Sequence, residues 1–155
     1  MNEKLAKAII DKARSFLNTP YEYGANKTTI IDCSALIQLV FLEMIKKDIG
    51  RSAILQATSK DGITVSETKI GSVVSEKNLQ PADTIFFRGT KAHLNDELFP
   101  PEIYGLNMMI GHVALYTGNG MVIHAKGGNI RKVIEEPLET VKKYAKEIKI
   151  IRRFI

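Results

Sequence analysis

The stretch that decides the fold is Gly111-His112-Val113-Ala114-Leu115-Tyr116-Thr117-Gly118-Asn119-Gly120-Met121-Val122-Ile123-His124-Ala125-Lys126. Two apolar runs flank Gly118-Asn119-Gly120, a trio that tolerates left-handed backbone, so the segment reads as a β-hairpin. A three-residue loop sets Thr117 opposite Met121, Leu115 opposite Ile123 and Val113 opposite Ala125, all on one apolar face. The other face then holds Tyr116 opposite Val122, Ala114 opposite His124 and His112 opposite Lys126. In this register His112 and His124 are diagonal neighbours across the small Ala114, with backbones roughly 7–8 Å apart. A two-residue loop sends them to opposite faces, so the pairing depends on loop length.

Outward from the hairpin, Thr84–Phe87 is a short β-type run, Arg131–Glu135 adds a strand, Leu138–Lys146 a helix and Ile148–Ile155 a closing strand. The first half is helical. Leu5, Ile9, Ile10, Ala13, Phe16 and Leu17 form one stripe over residues 3–17, and Asn18-Thr19-Pro20 ends it. Tyr21–Thr29 reads as a loop. Cys33–Lys46 repeats Leu36, Ile37, Val40, Phe41 and Met44 at helical spacing, Ser52–Thr58 is a short helix, and Asp61-Gly62 turns the chain. Helices first and strands later predict an α+β domain with an antiparallel sheet.

Composition narrows the class. At 155 residues, 45% apolar and 25% charged, the chain matches one globular domain over 1–155 that needs no metal or disulfide staple. No run reaches the roughly 18–20 apolar residues of a membrane span. Met1-Asn2-Glu3-Lys4 begins a periodic helix, not a signal peptide. The +5 charge is spread among acids without interleaved aromatics, which fits a solvated basic surface better than nucleic-acid binding.

The lone Cys33 excludes an internal disulfide framework and a multi-cysteine zinc site. Two readings remain, an inert buried thiol or a reactive one. Cys33 lies where a loop becomes a helix, and unpaired N–H groups of a first turn favour thiolate. A cysteine nucleophile needs a base, and the base needs an orienting partner. Cys33, His112 and His124 fill those three roles. The same residues, with Asp32 as a further ligand, make up a zinc alternative, but the spacing lacks the short clusters of dedicated zinc sites. No metal or cofactor is therefore expected. His93 has no partner visible in sequence and is expected to face solvent.

Five segments in order resemble the NlpC/P60 family, papain-like cysteine peptidases and amidases of bacterial cell-wall metabolism. They are Pro20-Tyr21-Glu22-Tyr23-Gly24, Asp32-Cys33-Ser34-Ala35-Leu36, Leu79-Gln80-Pro81-Ala82-Asp83, Gly111–Gly120 and Ile123-His124-Ala125. The resemblance runs from about residue 5 to 135. It implies a papain-like fold, with the nucleophile at a helix N-terminus packed on the sheet, and a Cys33-His112-His124 triad. It further implies that Tyr21 aids the oxyanion or substrate, and that Asp32 and Ser34 grip the free amine of a stem peptide. A helix N-cap is the structural alternative for Asp32, and a packed loop aromatic the alternative for Tyr21. The implied substrate is peptidoglycan or a muropeptide, cut between D-glutamyl and a diamino acid.

The chain departs from the family at Ala25, Ala35 and Ala82, where glycine is usual, and at Tyr23, often tryptophan. An insertion at about 90–110 carries Leu98, Phe99, Tyr104, Leu106, Met108 and Met109. It is expected to be a lid, a docking surface for a partner or inhibitor protein, or a cover for its own sheet edge. Rival functions are an acyltransferase or amidase acting on a lipid or protein, and a catalytically silent wall- or partner-binding module. Localisation stays open among cytoplasmic, phage-associated and specially secreted forms, or a leader-trimmed fragment.

Overall fold

The computed structural model describes residues 2–67, 74–89, 110–145 and 147–155. The expectations for His93 and for the apolar insertion lie outside these residues. In chain order the elements are α1 (Glu3–Arg14), β1 (Asn26–Lys27), β2 (Ile30–Ile31), α2 (Cys33–Ile45), α3 (Ala53–Ala57), β3 (Ile63–Glu67), β4 (Thr84–Arg88), β5 (Ile110–Gly118), β6 (Met121–Lys126), β7 (Lys132–Pro137), α4 (Leu138–Tyr144) and β8 (Ile148–Arg153). Six strands form one antiparallel sheet in the order β3-β8-β4-β5-β6-β7, so the α+β expectation holds.

Each early helix starts at a side-chain cap. Asn2, Asp32 and Ser52 accept backbone N–H groups of Leu5, Ala35 and Leu55 and so satisfy donors that the first turn leaves free. The stripe on α1 buries Ala6, Ile9, Ile10 and Ala13. The helix ends at Arg14, short of the expected residue 17. Tight turn bonds follow, from Phe16 N–H to Ala13 and from Leu17 N–H to Arg14, and Asn18 is left-handed at φ 71°. That turn buries Phe16 but leaves Leu17 exposed, off the predicted stripe. Helix α2 is apolar on most sides, with Ala35, Leu36, Ile37, Val40 and Phe41 fully buried. Its Phe41 ring lies 5.4 Å from that of Phe154 at the end of the sheet.

The sheet has a core on each face, because strand side chains alternate. On one face Phe86, Val113, Leu115, Ile123, Ala125, Val133 and Ile150 pack under α1, α2 and α3. On the other, Ile85, Phe87, Ala114, Val122 and Ile151 pack with Leu138 and Val141 of α4. This division is the one the hairpin register predicts.

The register is reached by a different route. Leu115 pairs with Ile123 and Tyr116 with Val122, as expected, but Gly118, not Thr117, pairs with Met121. The turn itself is only Asn119-Gly120, both left-handed at φ 53° and 75°, which suits a two-residue hairpin turn. A bulge between Tyr116 and Gly118 restores the residue that the shorter turn removes. The histidines therefore keep a common face. Ala82, at φ 75° and fully buried, stands in the left-handed region that favours glycine.

Candidate active site

Cys33 is the first residue of α2, and its side chain keeps part of its surface accessible. The β5–β6 ladder runs from Leu115↔Ile123 to the turn. Short of that pair, the Val113 N–H turns towards the sulfur, joining the N–H groups of Ser34 and Cys33 itself. The thiol thus sits where α2 meets the open end of the hairpin, against Val113, the residue that follows His112.

The electrostatics differ from the thiolate expected of a helix start. Burial, with the negative Asp32 second, pushes the Cys33 thiol up to about 11, against the three N–H donors that favour the anion. His112 is pushed down to about 3 by burial, then by its neighbours His124 and Lys126. Burial also lowers His124, opposed by its bond to Glu136. At neutral pH the thiol and both imidazoles are therefore neutral.

The two histidines meet across the strands. His112 Nε2 lies 2.7 Å from His124 Nδ1, and the rings cross edge to face with centroids 5.0 Å apart. His124 is fully buried. Its Nε2 lies 2.7 Å from Glu136 Oε2, and the Tyr144 hydroxyl donates to that same oxygen at 2.6 Å. Lys126 holds its ammonium 3.9 Å from both the Tyr144 ring centroid and Glu136 Oε2.

On the other side of the thiol, Tyr21 is tied by its N–H to the Arg131 carbonyl and bridges to Ile31. Its ring lies against Gly127, where a Cβ would stand 3.1 Å from the ring edge. Burial, then the charges of Cys33 and Asp32, raise its hydroxyl to about 12, so it stays a protonated donor.

Asp32 proves to be the cap and the centre of a buried network. Its oxygens accept from the N–H groups of Ala35 (2.8 Å) and Gly24 (3.0 Å), from the Ser34 hydroxyl (3.3 Å), and from Arg51 Nη1 (3.1 Å) and Nη2 (2.9 Å). Arg51 also donates to Ser34 Oγ at 3.0 Å. A carboxylate offers about four lone-pair directions, and these five donors saturate it. Asp32 and Ser34 are thus bonded to each other and to Arg51 within the chain.

Three residues here escaped sequence reasoning. Arg51 lies 19 positions from Asp32, and no local period signals the pair. Tyr144 reaches the histidines from α4. Glu136 had a signal: Val122 pairs with Glu136 and His124 with Ile134, so Glu136 alternates onto the histidine face. The strand expected over Arg131–Glu135 stops one residue short of it. Among the described residues no cluster of three or more His, Cys, Asp or Glu is arranged to hold a metal, and no helix is long and apolar enough to cross a membrane.

Comparison with known proteins points the same way. The chain is 31% identical to a probable endopeptidase p60 of Listeria seeligeri over 79% of its own length and 18% of that protein. It spans less than half the length of the curated relatives it matches. The crystal structure of the NlpC/p60 domain of the peptidoglycan hydrolase SagA superposes with a TM-score of 0.65 at 22% identity, covering 96% of this chain and 97% of that one. The peptidoglycan hydrolase RipB of Mycobacterium tuberculosis gives 0.66 at 22% identity, over 98% of this chain and 65% of that one. Both show the same fold. The NlpC/P60 family pattern matches residues 18–97, just over half of the sequence, and this chain belongs to that family.

Proposed function

We propose that the chain is one catalytic domain that hydrolyses an amide bond in the stem peptides of peptidoglycan, with Cys33 as nucleophile, His112 as base and His124 as its orienting partner. The observation that carries this reading is the 2.7 Å contact of His124 with His112, which precedes the Val113 whose N–H faces the sulfur. The p60, SagA and RipB names supply the substrate class.

His112 takes the Cys33 proton as sulfur attacks the carbonyl carbon, so thiolate forms only as the bond is made. That sequence suits a thiol whose free anion is disfavoured. The Cys33 N–H and the Tyr21 hydroxyl, which keeps its proton to high pH, donate to the tetrahedral oxyanion. His112 returns the proton to the leaving amine as the C–N bond breaks. Water, deprotonated by His112, then attacks the thioester, releasing the acid and restoring the thiol. The D-glutamyl–diamino acid bond is the linkage we assign, on the family resemblance.

Digestion of purified peptidoglycan, with products identified by mass spectrometry, tests this assignment. The native chain is expected to release new stem-peptide termini, and Cys33→Ala none. Equal product from Cys33→Ala refutes the nucleophile. Transfer of the acyl group to an added amine in preference to water refutes hydrolysis.

A further inference from the structure

A polar chain runs through the fully buried His124 from the sheet to the exposed Tyr144. It begins at His112 on β5, passes through His124 on β6 to Glu136 on β7, and ends at Tyr144 on α4. The contacts are 2.7 Å, 2.7 Å and 2.6 Å in that order. The Tyr144 oxygen also lies 3.2 Å from His124 Nε2, with the two rings stacked at 17°. Lys126 on β6 flanks Glu136 and Tyr144, and from β4 the cluster meets the apolar Phe87 ring, 6.0 Å from His112. The titratable groups facing one another are thus His112, His124, Lys126, Glu136 and Tyr144.

Proton counting gives this chain a direction. A neutral imidazole carries one N–H and one lone pair. A carboxylate only accepts, so the His124 proton must sit on Nε2, facing Glu136. His124 Nδ1 is then a lone pair and must accept from His112 Nε2–H. His112 has no second proton, so its Nδ1 is left bare. Without the carboxylate the opposite polarity makes as many bonds: His124 Nδ1–H donates to His112 Nε2, and the His112 proton moves to Nδ1, where it blocks the base. The Tyr144 hydroxyl, which both donates and accepts, cannot choose between the two.

We infer that Glu136 is a positioning residue that sets the tautomers of both His124 and His112, with Tyr144 holding its carboxylate in place, so that His112 presents a free Nδ1. The inference rests on the Cys33–His112 reading for its catalytic meaning. The tautomers themselves can be measured without any substrate.

The test is long-range proton–nitrogen NMR of the full chain with labelled histidine, near pH 7, beside steady-state hydrolysis of an L-alanyl-γ-D-glutamyl-diamino acid peptide. In the native chain both histidines are expected to carry their protons on Nε2. In Glu136→Ala a mixed or reversed population is expected, with kcat falling roughly 10- to 100-fold and KM unchanged. Glu136→Gln keeps an acceptor oxygen and is expected to restore the Nε2–H forms and most of kcat. A native His124 proton on Nδ1 overturns the inference even where the alanine variant fails to fold. So do unchanged tautomers in a folded Glu136→Ala. Full hydrolysis by Cys33→Ala would defeat the catalytic reading alone, and the NMR result would still decide what Glu136 does.

Discussion

Removing the Arg51 guanidinium tests whether the network around Asp32 organises the mouth of the site. In Arg51→Met the apolar stem is kept and three donated bonds to Asp32 and Ser34 are lost. The Asp32 side chain is 7% exposed and that of Arg51 35%, so the pair lies between the buried and surface limits. Breaking a fully buried pair costs about 3–5 kcal/mol, and an exposed one about 0–1. The three remaining donors to Asp32 soften the loss, which places the cost at about 2–3 kcal/mol. For a domain of this size each kcal/mol moves the midpoint by roughly 2–4 °C. Arg51→Met should therefore melt about 5–10 °C below the native chain in a calorimetric scan at pH 7. Asp32→Asn and the double variant complete a cycle in which the coupling should exceed about 1 kcal/mol. The same change leaves the Asp32 charge uncompensated beside the sulfur, so alkylation of Cys33 should slow at fixed pH. A midpoint within about 2 °C of native, or additive single effects, would refute the proposed weight of the network.

Two further outcomes follow from the site's electrostatics and backbone. A thiol raised to about 11 is ionised to only about one part in a thousand at pH 8, against about a quarter for an ordinary cysteine near 8.5. Iodoacetamide should therefore label the free chain slowly, with a rate still climbing at pH 10, and a plateau by pH 9 contradicts the assigned environment. Gly111→Ala would place a Cβ 2.5 Å from the Gly89 Cα, a clash with backbone that no side-chain rotation relieves. It should cost about 1–3 kcal/mol and depress peptidoglycan hydrolysis by displacing the adjacent His112. A variant with native midpoint and activity would show that the two strands part freely there.

What could be read in advance follows how local each signal is. Alternation on both faces predicts the hairpin register, and the register holds although the turn has two residues where three are expected. The extra residue sits in a bulge instead of the turn, and the sum along the two strands is the same. Strand β3 gave little to read, because it is an edge strand with Ile63 exposed and Val65 only partly packed on a core. Glu136 sits in a Glu135-Glu136-Pro137 run that looks like solvent-facing strand end, and only its pairing with β6 places it inward. The helix-start argument for Cys33 identified the N–H donors correctly. Burial and the Asp32 charge, which depend on packing, outweigh them. Asp32 and Ser34 carry a partner, Arg51, that lies too far along the chain for any local pattern to announce it.

The close approach of Gly89 and Gly111 has a consequence for how the domain can vary. These two residues bring the end of β4 and the start of β5 to within backbone contact, on a sheet whose order and register are set by pairs on either side. The two ends of the segment 90–109 therefore stand side by side, next to His112. Twenty residues or four could join those two points with the same sheet beneath them. The length and composition of that connection can therefore change without altering the pairing of β4 with β5 or the contact of His112 with His124.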